Sequence, residues 1–173
     1  MEKRSGALLA AGVTCLVSVC LVCTTASAQD KAQADLAKAL QGVSTTLEQG
    51  LAASQRGGTP ISGKFEVEEG KLQLSAYTMK GDKFAEVIVD YTTGKMAKTE
   101  AITSGEDLDA AKSQSAAMAK AKRSLRDATG RAVKANGGFR AVSVTPALRG
   151  GRPVATITLL QRQTFKTVTE PLD

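Results

Sequence analysis

The chain of 173 residues contains no histidine and no tryptophan, and aromatic residues make up only 3% of it. Without histidine it lacks the commonest general base, the usual partner of a catalytic serine or cysteine, and the commonest zinc ligand. With so few rings, the core has to be built from Leu, Val, Ile and Ala. Cysteine is confined to Cys15, Cys20 and Cys23. The chain beyond them therefore has no disulfide, no thiol chemistry and no cysteine metal site. No nucleophile motif such as G-x-S-x-G or S-x-x-K is evident, and Ser124-Leu125-Arg126-Asp127 does not qualify. These lacks point away from an enzyme. No catalytic, cofactor-binding or metal-ligating residues are expected.

What is present begins with a targeting segment. Lys3 and Arg4 precede an apolar run from Ala7 to Val22, and Ala26-Ser27-Ala28 offers a small-x-small cleavage site. The run is too short and poorly flanked for a convincing membrane span. Residues 1–28 are therefore expected to be a signal peptide, with export to the periplasm or the medium. A lipid anchor on one of the cysteines is the rival reading, but each follows a residue larger than the usual Gly, Ala or Ser. Removing residues 1–28 lowers the basic count from 23 to 21 and the acidic count from 17 to 16, leaving +5. This balance permits loose attraction to anionic surfaces without requiring it. Charged residues at 23% and hydrophobic residues at 42% fit a globular domain.

Past the leader, Asp30–Ser54 reads as one helix, because Leu36, Leu40, Val43, Leu47 and Leu51 recur at three- and four-residue spacings. Gly42 and Gly50 weaken it. Segments 63–68, 71–78, 84–91 and 95–102 read as an antiparallel meander, with turn signals at Glu69-Gly70 and Gly81-Asp82. A second helix is expected from about Glu106 to Asn136, capped by Ser104 and stopped by Gly137-Gly138. Segments 139–145, 153–160 and 164–170 read as further strands. Helix, strands, helix, strands suggests duplication. At an offset of 70 residues Leu72 meets Val142, Leu74 meets Val144, Gly81 meets Gly151, Val87 meets Ile157 and Val89 meets Leu159. Leu72 and Val142 are therefore expected at equivalent core positions. The expected fold is α+β, with two tandem units at 29–102 and 103–173, each a helix on a small antiparallel sheet. Each helix covers its own sheet, or the two sheets join.

The stretch Lys83–Glu100 is a hairpin around Asp90-Tyr91-Thr92-Thr93-Gly94, with Asp90 suited to capping the turn and Gly94 to a positive φ. Together with Phe65-x-Val67-x-x-Gly70 and Leu72–Tyr77, the run Val89-Asp90-Tyr91-Thr92-Thr93-Gly94-Lys95-Met96 resembles the PepSY domain, whose hairpin has the form V-D-x-x-T-G-x-V. The resemblance covers residues 30–102. It is looser over 104–173, where Leu160-Gln161-Arg162-Gln163-Thr164 lacks both the Asp and the Gly. It implies a non-enzymatic, exported binding protein whose partner is a protein or peptide, with peptidase modulation or inhibition as the family role. Asp90, Thr93 and Gly94 carry over only as turn-forming positions.

Two charged groups are candidate sites. Glu66, Glu68 and Glu69 fit a solvated strand face better than a cation site. Lys120, Lys122, Arg123, Arg126, Arg131 and Lys134 make the second half of the second helix basic, against Asp127 alone. They are the basis of an alternative reading, a structural envelope protein contacting an anionic polymer or lipid. Nucleic acid is not expected, because the chain carries an export signal and no aromatics interleave with the basic residues to stack bases.

Overall fold

The computed structural model describes residues 24–173. The expected signal peptide, including all three cysteines, lies outside them apart from residues 24–28. The elements are α1 (Thr24–Ala39), α2 (Leu47–Ser54), β1 (Thr59–Glu68), β2 (Lys71–Lys80), β3 (Lys83–Asp90), β4 (Lys95–Ile102), α3 (Gly105–Met118), α4 (Leu125–Ala135), β5 (Arg140–Arg149), β6 (Arg152–Gln161) and β7 (Thr164–Pro171). The class is α+β, and every strand pairing is antiparallel.

The strands form one sheet in the order β4-β3-β2-β1-β5-β6-β7. The two sheets have joined, so the expected boundary at 102/103 falls on a connection while the sheet runs across it. The joint is short. β1 meets β5 only at Gly63↔Val144 and Lys64↔Ser143. The core spans both halves: Leu47, Leu51, Leu74 and Val89 share it with Leu125, Val144, Ile157 and Leu159.

Alternation along β1 assigns the two faces. Gly63 and Phe65 face α2 and the core, whereas Ser62 and Lys64 face α3. Ser62 Oγ donates to Gln114 Oε1 of α3 at 2.7 Å. The helix α2 sits low on its face because two glycines allow it. A Cβ at Gly50 would stand 2.7 Å from Leu74 Cδ2, and one at Gly63 would stand 3.0 Å from Leu51 Cδ2. Gly50, expected only to weaken a helix, is a contact point.

Both long helices of the sequence reading are divided. The first ends in α1, passes Gly42 at φ 79°, and restarts at a capping box in which Thr46 and Gln49 satisfy each other's backbone N–H. The reason for the error is plain: Val43 and Leu47 keep the helical spacing across the break. The second divides into α3 and α4. Ser124 caps α4 by accepting from Asp127 N at 3.1 Å. The linker's Lys122 and Arg123 N–H groups donate to Leu172 O at 2.7 and 3.0 Å, an acceptor remote in sequence.

The 70-residue offset matches facing but not pairing. Leu74, Val87 and Val89 are buried, as are Val144, Ile157 and Leu159. Yet Leu74 pairs with Val89 while Val144 pairs with Ile157. Counting from the turns, Gly81 corresponds to Gly150 rather than Gly151, since Lys80↔Lys83 and Arg149↔Arg152 close the two hairpins. Val142 is 2% exposed, but Leu72 is only half-buried at the margin of the core.

The large apolar side chain fully buried on β2 is Leu74, beside the buried Ser75, Ala76 and Thr78. Leu74→Ala is expected to destabilise the protein by about 2–5 kcal/mol, the usual range for a buried leucine truncation. Chemical denaturation measures this, and a loss well under about 1 kcal/mol would contradict the placement of β2 in the core.

Candidate functional site

The β3–β4 turn is built as its residue types dictate. Asp90 Oδ1 accepts from Thr92 N at 2.7 Å and Thr93 N at 3.0 Å. Gly94 N donates to Asp90 O at 2.7 Å, and Gly94 takes φ 68°. The N–H of Thr93, then that of Thr92, hold the Asp90 carboxyl below the usual aspartate range. A lowered folded-state pKa means that the ionised cap stabilises the turn above the ordinary aspartate pKa. That contribution is lost as pH falls through the lowered value. The second hairpin turns differently. Gln161 pairs with Thr164, and the turn is Arg162-Gln163, with Arg162 at φ 56°.

The Asp90 turn forms one wall of a cleft of about 610 Å³. The opposite wall is α2 and the segment before it. Ala52, Ala53 and Met96 give the cleft an apolar surface, while Ser44, Gln49, Thr92 and Thr93 supply polar groups. Among the described residues, Arg56 and Lys95 are its charged lining residues and no carboxylate lines it. Met96 is 39% exposed there. The cleft lies between α2, eight residues long, and the turn that leads into the outermost strand β4. The turn is legible in the sequence but the facing helix wall is not, because Val43 and Leu47 keep helical spacing across the capping box that starts α2.

The segment before α2 is fixed from the other half of the chain. Arg140 of β5 donates through Nη1 to Val43 O and through Nη2 to Thr45 O, both at 2.7 Å. Its guanidinium lies 5.3 Å from the centre of the Phe65 ring. Burial lowers its pKa, and Glu48 nearby opposes that shift. No local pattern marked Arg140, because its partners are backbone carbonyls about a hundred residues earlier.

The basic residues do not form one helix face. Lys120 and Lys122 lie on the α3–α4 linker. Arg123, also there, donates to Pro171 O at 2.5 Å. Arg131 stands 3.7 Å from Glu170. Arg126 and Lys134 are exposed on α4, whose Leu125, Ala128, Thr129 and Ala132 are buried. Of the acidic group, Glu66 is paired to Lys64 at 2.5 Å. Lys64 of this pair lines a second cavity, of about 330 Å³, under α3, with Tyr77, Asp107 and Gln114. Burial depresses the Lys64 pKa, but the Glu66 hydrogen bond and the neighbouring Tyr77 and Glu66 charges outweigh it and raise it overall.

No family model, curated protein or solved structure matches the chain. Among the described residues, no helix is long and apolar enough to cross a membrane.

Gly94→Val should strain the turn by roughly 1–3 kcal/mol, because a β-branched side chain is placed at positive φ. Thr164→Gly, at a paired strand position, should cost only about 1 kcal/mol or less through lost strand propensity. Denaturation midpoints of the two variants test this. Equal effects would contradict the distinction between the turns.

Proposed function

We propose that this chain is an exported, non-enzymatic, PepSY-like protein that binds a segment of another protein in the cleft between α2 and the Asp90–Gly94 turn. The observation that carries the reading is the lining of that cleft. The motif positions Thr93 and Gly94, with Lys95 beside them, form its wall, Ala52, Ala53 and Met96 offer apolar contact, and Arg56 and Lys95 supply positive charge unopposed by a carboxylate among the described lining residues. Such a surface suits a peptide that combines an apolar side chain with an acidic one. Modulation of a peptidase is the role the family resemblance adds, with the peptidase as the source of that segment.

The alternative, contact with an anionic envelope polymer or lipid through Lys120, Arg123, Arg126, Arg131 and Lys134, has weaker support. Arg123 and Arg131 are engaged with Pro171 O and Glu170. Arg126 and Lys134 remain as its best-placed contacts.

Capture of partners from the native envelope by the wild-type chain and by an Arg56→Glu, Lys95→Glu variant tests the proposal. The variant, shown to be folded by circular dichroism, is expected to lose a partner protein that the wild type retains. Undiminished capture would overturn the cleft as the binding site. Retention of both chains on an anionic matrix, abolished by salt and by Arg126→Ala with Lys134→Ala, would instead favour the polymer reading.

A further inference from the structure

β7 is the outermost strand on the side of the sheet away from the cleft, and among the described residues nothing pairs with its free edge. Its register with β6 is unbroken from Val154↔Pro171 to Gln161↔Thr164. Leu172 N donates to Pro153 O at 3.0 Å. By the alternation of an antiparallel ladder, the even-numbered residues of β7 turn their backbone groups toward β6. Phe165, Thr167 and Thr169 therefore turn theirs outward. Pro171, which has no N–H to offer, also falls on the outward side, where an edge strand tolerates proline.

The edge reads Phe165-Lys166-Thr167-Val168-Thr169-Glu170-Pro171. Outward from Val168 it is complementary to its own reverse: Thr167 matches Thr169, Lys166 matches Glu170, and Phe165 matches Pro171. We propose that a second copy of this chain pairs with β7 along this edge, antiparallel and two-fold symmetric about Val168. In that register Thr167 of each copy exchanges backbone hydrogen bonds with Thr169 of the other. Lys166 faces Glu170 in both directions, and two half-buried Val168 side chains meet at the axis. Neighbouring registers fail. A centre on Thr167 or Thr169 sets a charge against Val168, and a centre on Lys166 or Glu170 sets like charges opposite each other.

The charged side chains are already positioned for this. Lys166 Nζ is 2.6 Å from Asn136 Oδ1, and Glu170 is 3.7 Å from Arg131, so both are held over the α4 face. On the opposite face, cross-strand register aligns Ser143, Thr158 and Thr167 in one row and Thr145, Thr156 and Thr169 in another. Pairing continues each row into the second copy. Edge charges and an edge proline ordinarily discourage strand addition. Here the same residues exclude other registers and favour one. The opposite edge lacks this regularity, because β4 is interrupted by a bulge where Ile88↔Lys98 gives way to Val89↔Met96. The inference is independent of the proposed binding cleft, which stays open in both copies.

The test uses the full sequence with Cys15, Cys20 and Cys23 replaced by Ser. The Val168 pair would be of the non-hydrogen-bonded kind, with Cα atoms about 4.5 Å apart, within the disulfide range of about 4.4–6.8 Å. Val168→Cys is expected to oxidise to a disulfide-linked dimer, while Thr99→Cys on the opposite edge stays monomeric. In sedimentation velocity, the protein without an added cysteine should dimerise reversibly. Lys166→Glu and Glu170→Lys should each shift it to monomer, and the double exchange should restore the dimer. Circular dichroism confirms that each variant is folded. A monomer at all concentrations, a dimer indifferent to Lys166→Glu, failure of the double exchange to restore association, or equal crosslinking of Thr99→Cys would overturn the proposal.

Discussion

The architecture depends on how the two halves of the chain are joined. The ladder supplies little: β1 and β5 meet at two residue pairs, and a backbone hydrogen bond contributes only about 0.5–1.5 kcal/mol net. Two other links carry the joint. The first is the shared apolar core, in which Phe65 and Leu74 from one half lie in the same cluster as Val144 and Ile157 from the other. The second is Arg140, which reaches from β5 to the carbonyls of Val43 and Thr45. Hydrogen bonds from a charged donor contribute roughly 1.5–3 kcal/mol each, against the desolvation that lowers the Arg140 pKa. Its buried Nε, without a partner among the described residues, adds to that cost.

This joint also places the candidate site. The Arg140 contacts end at Thr45, and the capping box of α2 begins at Thr46. The wall of the cleft is thus anchored by a residue from the half of the chain that contributes nothing to its lining. Gly50 and Gly63 then let α2 descend onto the sheet beside Leu74, and Met96 of β4 lines the cleft with residues of α2. The facing wall needs no such support, because the Asp90 turn satisfies its own backbone groups.

What could be read from the sequence followed from locality. Strand alternation located all seven strands to within a few residues, and Asp90 and Gly94 marked a turn whose hydrogen bonds lie within four residues. The helix breaks were missed where periodicity and capping disagreed. Val43 and Leu47 preserved an apolar stripe across a real end, while Thr46 and Gln49 carried the stop-and-start signal. The break after α3 likewise carried a local signal in Ser124-x-x-Asp127, which caps α4, while the linker's bonds to Leu172 O, remote in sequence, leave no local pattern. The same limit hid Arg140. It also left open whether two sheets or one would form, because a two-pair seam leaves no trace in either strand's own alternation. The repeat was visible as facing, which period-two patterning preserves, and misled about register, which each tight turn sets for itself.

The central claim is that these 150 described residues, 24–173, behave as one cooperative unit across the β1–β5 seam. Native-state hydrogen exchange tests it most directly, by comparing Leu74 and Val89 with Val144 and Ile157 as denaturant is raised. The account predicts that amides at the ladder positions of both pairs converge on the same opening free energy with the same denaturant dependence. If β5–β7 opened in a separate step while β2 and β3 kept their protection, the seam would be a contact between two independent units, and the account would fail.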